Sequence, residues 1–532
     1  HASHQALIEC DRALLPSGLR PVPDEPCPVG GGRGASRAFS VHAYGMTIWG
    51  DLFTARQKLA IASFMSAVVR FASPATQEVL TLMLDRLADR SSALCRWRPD
   101  ADQEKVENVF SRQALSTVWD FAEAVPTSAS TGSWTDGLDV LASAVERISA
   151  AKLAPGTVAR GDAADQTLPS DSAQIWFTDP PYYDAIPYAD LSDFFFVWHK
   201  RTLPKSRLVR ESMNNLGLTP KDQEAVQDET RTVGNRPKDR GFFEEKMAAA
   251  FAAGRRVIRE DGIGSVVFAH KTTEGWEALL GGMIAGGWVI TGSWPIATES
   301  PTRLRAKDSA ALATSVHLVC RPRTGGGIGD WAEVLAQLPP RVTEWMDRLE
   351  DEGIRGADLV FACIGPALEI FSRHEQVERP DGSVVPLAEY LEKVWEVVGR
   401  AALEQVLGTV EARASNGAAV ALEEDARLTA LCLWTIQSST GVDVVTEPND
   451  DETGDADDDY EDGGGRKPKG YTLVYDVVRR FAQPLGIHLD SWENRIIATH
   501  KGTVRLLPVS ARAVQLFGEA GAAALADRIE ST

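Results

Sequence analysis

Asp179-Pro180-Pro181-Tyr182 is the segment whose residue types and spacing best suit chemistry. The Asp179 carboxylate is an acceptor, and the Pro180 carbonyl is a second acceptor on a residue with no N–H of its own. The two prolines stiffen the turn, and Tyr182 offers a flat π-face. A planar amine needs such a setting to become a nucleophile. Two acceptors take its hydrogens and turn the lone pair out of conjugation, while the ring stacks on an extruded base. Catalysis of this kind requires positioning rather than a strong general base.

The apolar run Ala173-Gln174-Ile175-Trp176-Phe177-Thr178 that precedes this segment reads as a buried parallel strand. In an open α/β sheet, the crevice beyond a strand's carboxyl end is where ligands bind. Around it the chain alternates between strands and helices. Strands are expected at 157–160, 173–178, 265–269, 288–294 and 315–320, with helices at 189–203, 242–260 and 274–285. That alternation implies an α/β fold with a doubly wound sheet. The last two strands have no long helix between them and fit an antiparallel edge hairpin.

The longer run from Asp179 to Trp198, Asp-Pro-Pro-Tyr-Tyr-Asp-Ala-Ile-Pro-Tyr-Ala-Asp-Leu-Ser-Asp-Phe-Phe-Phe-Val-Trp, narrows the reading. So do Tyr44-Gly-Met-Thr-Ile-Trp-Gly-Asp-Leu-Phe53, Ser293-Trp-Pro-Ile296 and Ser309-Ala-Ala-Leu-Ala-Thr-Ser315. Together they resemble the S-adenosylmethionine-dependent adenine-N6 DNA methyltransferases, in particular the large multi-domain adenine-specific methylases found near phage-defence genes. The resemblance covers roughly residues 40–325 and implies a Rossmann-like methyltransferase sheet. It further implies S-adenosylmethionine as cofactor, double-stranded DNA as substrate with base flipping, and a place in restriction-modification or phage defence. Asp179, Pro180, Pro181 and Tyr182 are then the catalytic residues, with Tyr183 the next base contact. Tyr188 and Trp198 are expected to pack the following helix. Asp162, in Gly161-Asp162 after the first expected strand, is the candidate acceptor for the cofactor's adenine; an Asx-turn is the competing reading.

The family's Phe-x-Gly-x-Gly cofactor loop has no credible match. Phe361-Ala-Cys-Ile-Gly365 comes nearest, but Pro366 follows and the context is helical. The chain therefore matches the family from about its third motif onward. It reads as a piece of a longer protein, whose N-terminal segment or other defence-system subunits would be partners.

From His199 to Arg210 there are five basic residues and no acids, namely Lys200, Arg201, Lys205, Arg207 and Arg210. They are the expected phosphate contacts; a solvated helix face is the alternative. Arg303, Arg305 and Lys307 form a second cluster, and His270-Lys271 lies at a strand end. The polar segment 211–240 reads as a mobile insertion that orders on DNA.

Five regions are expected: a mainly helical 1–154, the catalytic core 155–325, a helical 326–445, an acidic disordered linker 446–470 and a small α+β module 471–532. In the first, Thr54 and Ser73-Pro74 open helices, and two more fit about 103–123 and 136–152. In the last, a helix near 474–484 and a hairpin at 494–507, turning at Lys501-Gly502, fit either a winged helix or a dimerising cap.

The 532 residues carry a formal net charge of −20, which sits badly with phosphate binding. Ten of the acids lie between Glu447 and Asp462, however, and affinity depends on local patches. The six cysteines are scattered without Cys-x-x-Cys spacing, so neither a disulfide framework nor a zinc site is indicated. No apolar run spans a bilayer and no signal peptide is visible, which makes cytoplasmic the default. An RNA or protein amide N-methyltransferase is a second enzyme reading. A catalytically silent DNA-binding or scaffold subunit is a reading of another class.

Overall fold

The computed structural model describes residues 2–406 except 13, 30–37, 101–102, 112, 152, 160, 182–185, 212, 269–272, 298–313, 355–358 and 360–361. Beyond 406 it describes 428–429, 432, 472–474, 478–479, 482, 487–500, 503–508 and 511–512. The α-helices are α1 (Ala2–Arg12), α2 (Ala55–Phe71), α3 (Pro74–Arg90), α4 (Trp134–Ala150), α5 (Tyr188–Thr202), α6 (Arg207–Glu211), α7 (Arg240–Val257), α8 (Thr273–Ala285), α9 (Trp331–Asp351), α10 (Ile364–Ser372) and α11 (Leu387–Val406). The strands are β1 (Trp97–Asp100), β2 (Gln103–Val106), β3 (Ala173–Thr178), β4 (Asp228–Val233), β5 (Arg236–Lys238), β6 (Ile258–Phe268), β7 (Trp288–Ala297), β8 (Thr314–Pro322), β9 (Ile328–Asp330), β10 (Gln376–Glu378), β11 (Thr472–Val474), β12 (Ile497–His500) and β13 (Thr503–Leu506). The chain forms two compact units, His1–Asp162 with Pro181–Phe243, and Ala163–Pro180 with Glu244–Thr532.

In the first unit, α2 opens with a reciprocal cap. Thr54 Oγ1 accepts from Gln57 N, and Gln57 Oε1 accepts from Thr54 N. Ser73 caps α3, with Pro74 in the first turn. The core gathers around Phe194 of α5, which meets Trp49, Phe53 and Phe110 at ring separations of 6.3, 5.7 and 5.1 Å. The helix expected over 103–123 does not form. Its start is strand β2, antiparallel to β1, and Glu107 pairs with Arg96. Val106, Val109 and Leu115 are then buried one at a time instead of along one helical face.

The second unit holds a mixed four-stranded sheet in the order β3-β6-β8-β7, so the fold is mixed α/β. β3 runs parallel to β6, and β8 is antiparallel to both β6 and β7, which gives the expected antiparallel pair at one edge. β6 begins at Ile258, earlier than expected, because Ala173 pairs with Ile258 before a bulge brings Ile175 opposite Ile263. The strand expected at 157–160 is not formed where it is described. Thr157, Val158 and Ala159 have no ladder partner, and Val158 is 89% exposed.

α10 docks on β7, with Ser293 Oγ donating to the Ala362 carbonyl (2.5 Å) and accepting from Gly365 N (3.0 Å). Near the C-terminus, β11, β13 and β12 form an antiparallel sheet, and the expected hairpin is β12–β13. Leu428 and Cys432, placed by sequence in the preceding helical region, join its core with Val478, Ile497 and Val504. The acidic linker lies outside the described residues.

Candidate active site

Asp179 leaves the sheet at the C-terminal end of β3, directly after Thr178, which pairs with Val266 of β6. β3 is anchored from one side by Trp176. Its indole stacks on Trp288 (4.8 Å, 18°) and meets Phe251 of α7 edge-on (5.7 Å, 84°). The helix backbone comes so close there that a Cβ on Gly254 would lie 2.4 Å from the Trp176 ring. Asp179 itself is exposed and Pro180 is buried, so a solvent-facing carboxylate is fixed to a rigid strand end. Pro181 is half-buried and belongs to the other unit. Tyr182 and Tyr183 lie outside the described residues.

The basic run resolves into two groups with different fates. Lys200 and Arg201 are buried on α5, 5% and 0% exposed, and are not available to a phosphate backbone. Lys200 pairs with Glu25 and donates to the Gly217 carbonyl. Arg201 reaches Glu25 Oε1 (2.9 Å) and the carbonyls of Arg20 (2.7 Å), Val22 (3.3 Å) and Val197 (2.7 Å). Burial would raise the Glu25 carboxyl, but Arg201 and Lys200 outweigh it and hold the group below the usual glutamate range. The sequence shows a cationic run but not that α5 turns two of its members inward onto the segment 20–25. Lys205, Arg207 and Arg210 remain exposed.

The segment 211–240, expected to be a mobile insertion, is largely described and folds back on α5. Asp193, with no exposure, accepts from Thr219 N (2.8 Å), Thr219 Oγ1 (2.7 Å) and Lys221 Nζ (2.6 Å). Arg231 spans Asp190 (2.5 Å) and Asp228 (3.3 Å). Glu224 Oε1 accepts from Ala189 N at the start of α5 (2.8 Å). Burial raises the Asp193 and Glu224 carboxyls in spite of these partners. The segment's charges looked solvated because it has few apolar residues; their partners on α5, Asp190 and Asp193, are distant in sequence. His199 Nε2 and Asp85 Oδ2, 2.6 Å apart, tie α5 to α3 in the same way, and no local motif announces that pair.

Trp198 is buried against Phe53 (5.5 Å), in its expected packing role, while Tyr188 is 43% exposed. Asp162 is exposed on irregular backbone rather than at a strand end. Gly365 lies in the first turn of α10, so the Phe361–Gly365 stretch serves packing where it is described, and Phe361 itself lies outside the described residues. His270, Lys271, Arg303, Arg305 and Lys307 also lie outside them.

Gly156 and Gly161, the glycines ahead of β3, stand on irregular backbone, and a Cβ on either would meet nothing within 4 Å. No group of potential metal ligands occurs among the described residues, and no described helix is long and apolar enough to cross a membrane. No family model, curated protein or solved structure matches the chain.

Proposed function

We propose that this chain carries the substrate-amine side of an adenine-N6 DNA methyltransferase. The observation that carries the reading is Asp179, solvent-facing at the carboxyl end of a parallel strand and followed by two prolines. Its carboxylate and the Pro180 carbonyl accept the two hydrogens of the exocyclic amine, which frees the nitrogen lone pair. Tyr182 is the proposed stacking residue for the extruded adenine and Tyr183 the next candidate. The order β3-β6-β8-β7, with β8 antiparallel between β6 and β7, supports a Rossmann-like methyltransferase sheet. Lys205, Arg207 and Arg210 are the exposed cations best suited to the phosphates of double-stranded DNA.

S-adenosylmethionine is the donor that the resemblance implies. Asp162 stays a candidate contact without the strand that would have positioned it. The lack of a credible Phe-x-Gly-x-Gly match in the sequence keeps a second reading, a catalytically silent DNA-binding or scaffold subunit. One experiment separates the two. The gene is expressed in methylation-deficient cells, and N6-methyladenine in genomic DNA is measured by mass spectrometry for wild type and Asp179→Ala. Loss of one positioned acceptor lowers transfer by about 10²-fold or more. Methylation within about threefold of wild type in Asp179→Ala removes the catalytic assignment, because losing a required polar partner costs far more. Absence of the mark in both supports the silent subunit.

A further inference from the structure

Tyr188, expected from the sequence to pack, is 43% exposed at the first position of α5. Ile186, Pro187, Asp190 and Leu191 around it are all buried, so the ring stands out between closed neighbours. The backbone beneath it is held from several directions. Pro187, the residue before the helix, offers no side-chain cap. Glu224 supplies one from 35 residues further on, accepting from Ala189 N (2.8 Å). The Ala189 carbonyl accepts from Thr219 Oγ1 (2.8 Å) and Lys221 Nζ (3.2 Å), and Arg231 grips Asp190 (2.5 Å). An aromatic ring on so fixed a turn loses little entropy when a flat partner stacks on it.

We propose that Tyr188 is a base-contacting residue, stacking on the nucleobase next to the extruded adenine in the same DNA strand. The inference rests on the adenine-N6 reading above, in which Tyr182 takes the adenine itself. Six residues separate the two tyrosines, a reach of at most about 21 Å, which is within a few nucleotides. Charge permits a polyanion here, because the acids at the start of α5 are neutralised within the fold, Asp190 by Arg231 and Asp193 by Lys221. α5 has 15 residues and is about 22 Å long, so about six nucleotides of one strand span it before the exposed Lys205, Arg207 and Arg210. Every base has a π-face, so this contact holds the strand without selecting its sequence.

The full 532-residue chain is titrated by fluorescence anisotropy at low salt with single-stranded oligothymidine carrying one central adenine. A single strand removes the cost of extrusion and the need for a known target duplex. Two further probes replace the base on one or the other side of the adenine by an abasic sugar. Tyr188→Ala is expected to weaken binding of the intact strand about tenfold, the loss of one stacked base, while Tyr188→Phe binds like wild type. One of the abasic probes is expected to bind wild type and Tyr188→Ala alike. A structural role would not give that convergence, because a loosened α5 weakens all three probes equally. Equal weakening of all three, or no weakening by Tyr188→Ala, overturns the proposal and leaves the role of Asp179 intact. A wild-type chain that binds no single strand also overturns it, and one that fails to bind sheared genomic duplex as well takes the DNA reading with it.

Discussion

Replacing Glu25 with Gln tests whether the buried ion cluster, and not only the apolar core, holds α5 in place. Glu25 is 7% exposed and is the shared anion of Lys200 and Arg201. The glutamine is nearly isosteric, so the change removes charge with little change of shape. Breaking a buried pair by removing one partner costs about 3–5 kcal/mol, because the remaining charge is buried without compensation. Arg201 keeps three carbonyl acceptors and Asp24 at 3.4 Å, whereas Lys200 keeps only the Gly217 carbonyl, so the cost falls near the lower end. About 3 kcal/mol is a large part of the ~5–15 kcal/mol that holds a domain together. It corresponds to a fall in midpoint of about 6–12 °C for a unit of this size.

The assay is thermal unfolding, with hydrogen exchange on α5 to assign the loss to the first unit. The pH dependence carries a sign. The folded Glu25 carboxyl sits below its unfolded value of about 4.3, so its contribution is complete above that value. It is lost as pH falls through the lower, folded value, and wild type and Glu25→Gln should converge in acid. Adding Lys200→Met to Glu25→Gln should recover part of the loss, since the uncompensated ammonium is then gone. A single variant within about 0.5 kcal/mol of wild type, the range of ordinary surface changes, refutes the reasoning.

Neutralising Lys205, Arg207 and Arg210 together should flatten the dependence of log DNA affinity on log salt by up to about 0.9 per lost phosphate contact. An unchanged slope would move the DNA contacts elsewhere. Substituting Lys200 or Arg201 should instead lower stability, a difference that separates this reading from one drawn on the basic run as a whole. Gly254→Ala should cost about 1–3 kcal/mol in chemical denaturation, since its Cβ would meet the Trp176 ring at 2.4 Å. A neutral Gly254→Ala would mean that α7 can move away from β3 without penalty.

Local pattern determined a good deal of this protein. Thr54 and Ser73-Pro74 announce α2 and α3, and the apolar run 173–178 announces β3, because caps and short-range periodicity are written in neighbouring residues. The proposed acceptor pair Asp179-Pro180 lies within two consecutive residues, so it too can be named as a candidate from the sequence. Tertiary structure decided what depends on partners far away in sequence. Burial of Lys200 and Arg201 follows from Glu25, more than 170 residues earlier. The clamp of 211–240 follows from Asp190 and Asp193 on α5. The edge position of β3 among the described strands was likewise hidden, because an apolar strand reads as buried on both sides until its neighbours are counted. A residue's charge is local information, while the dielectric around it and the strand beside it are set by the whole fold.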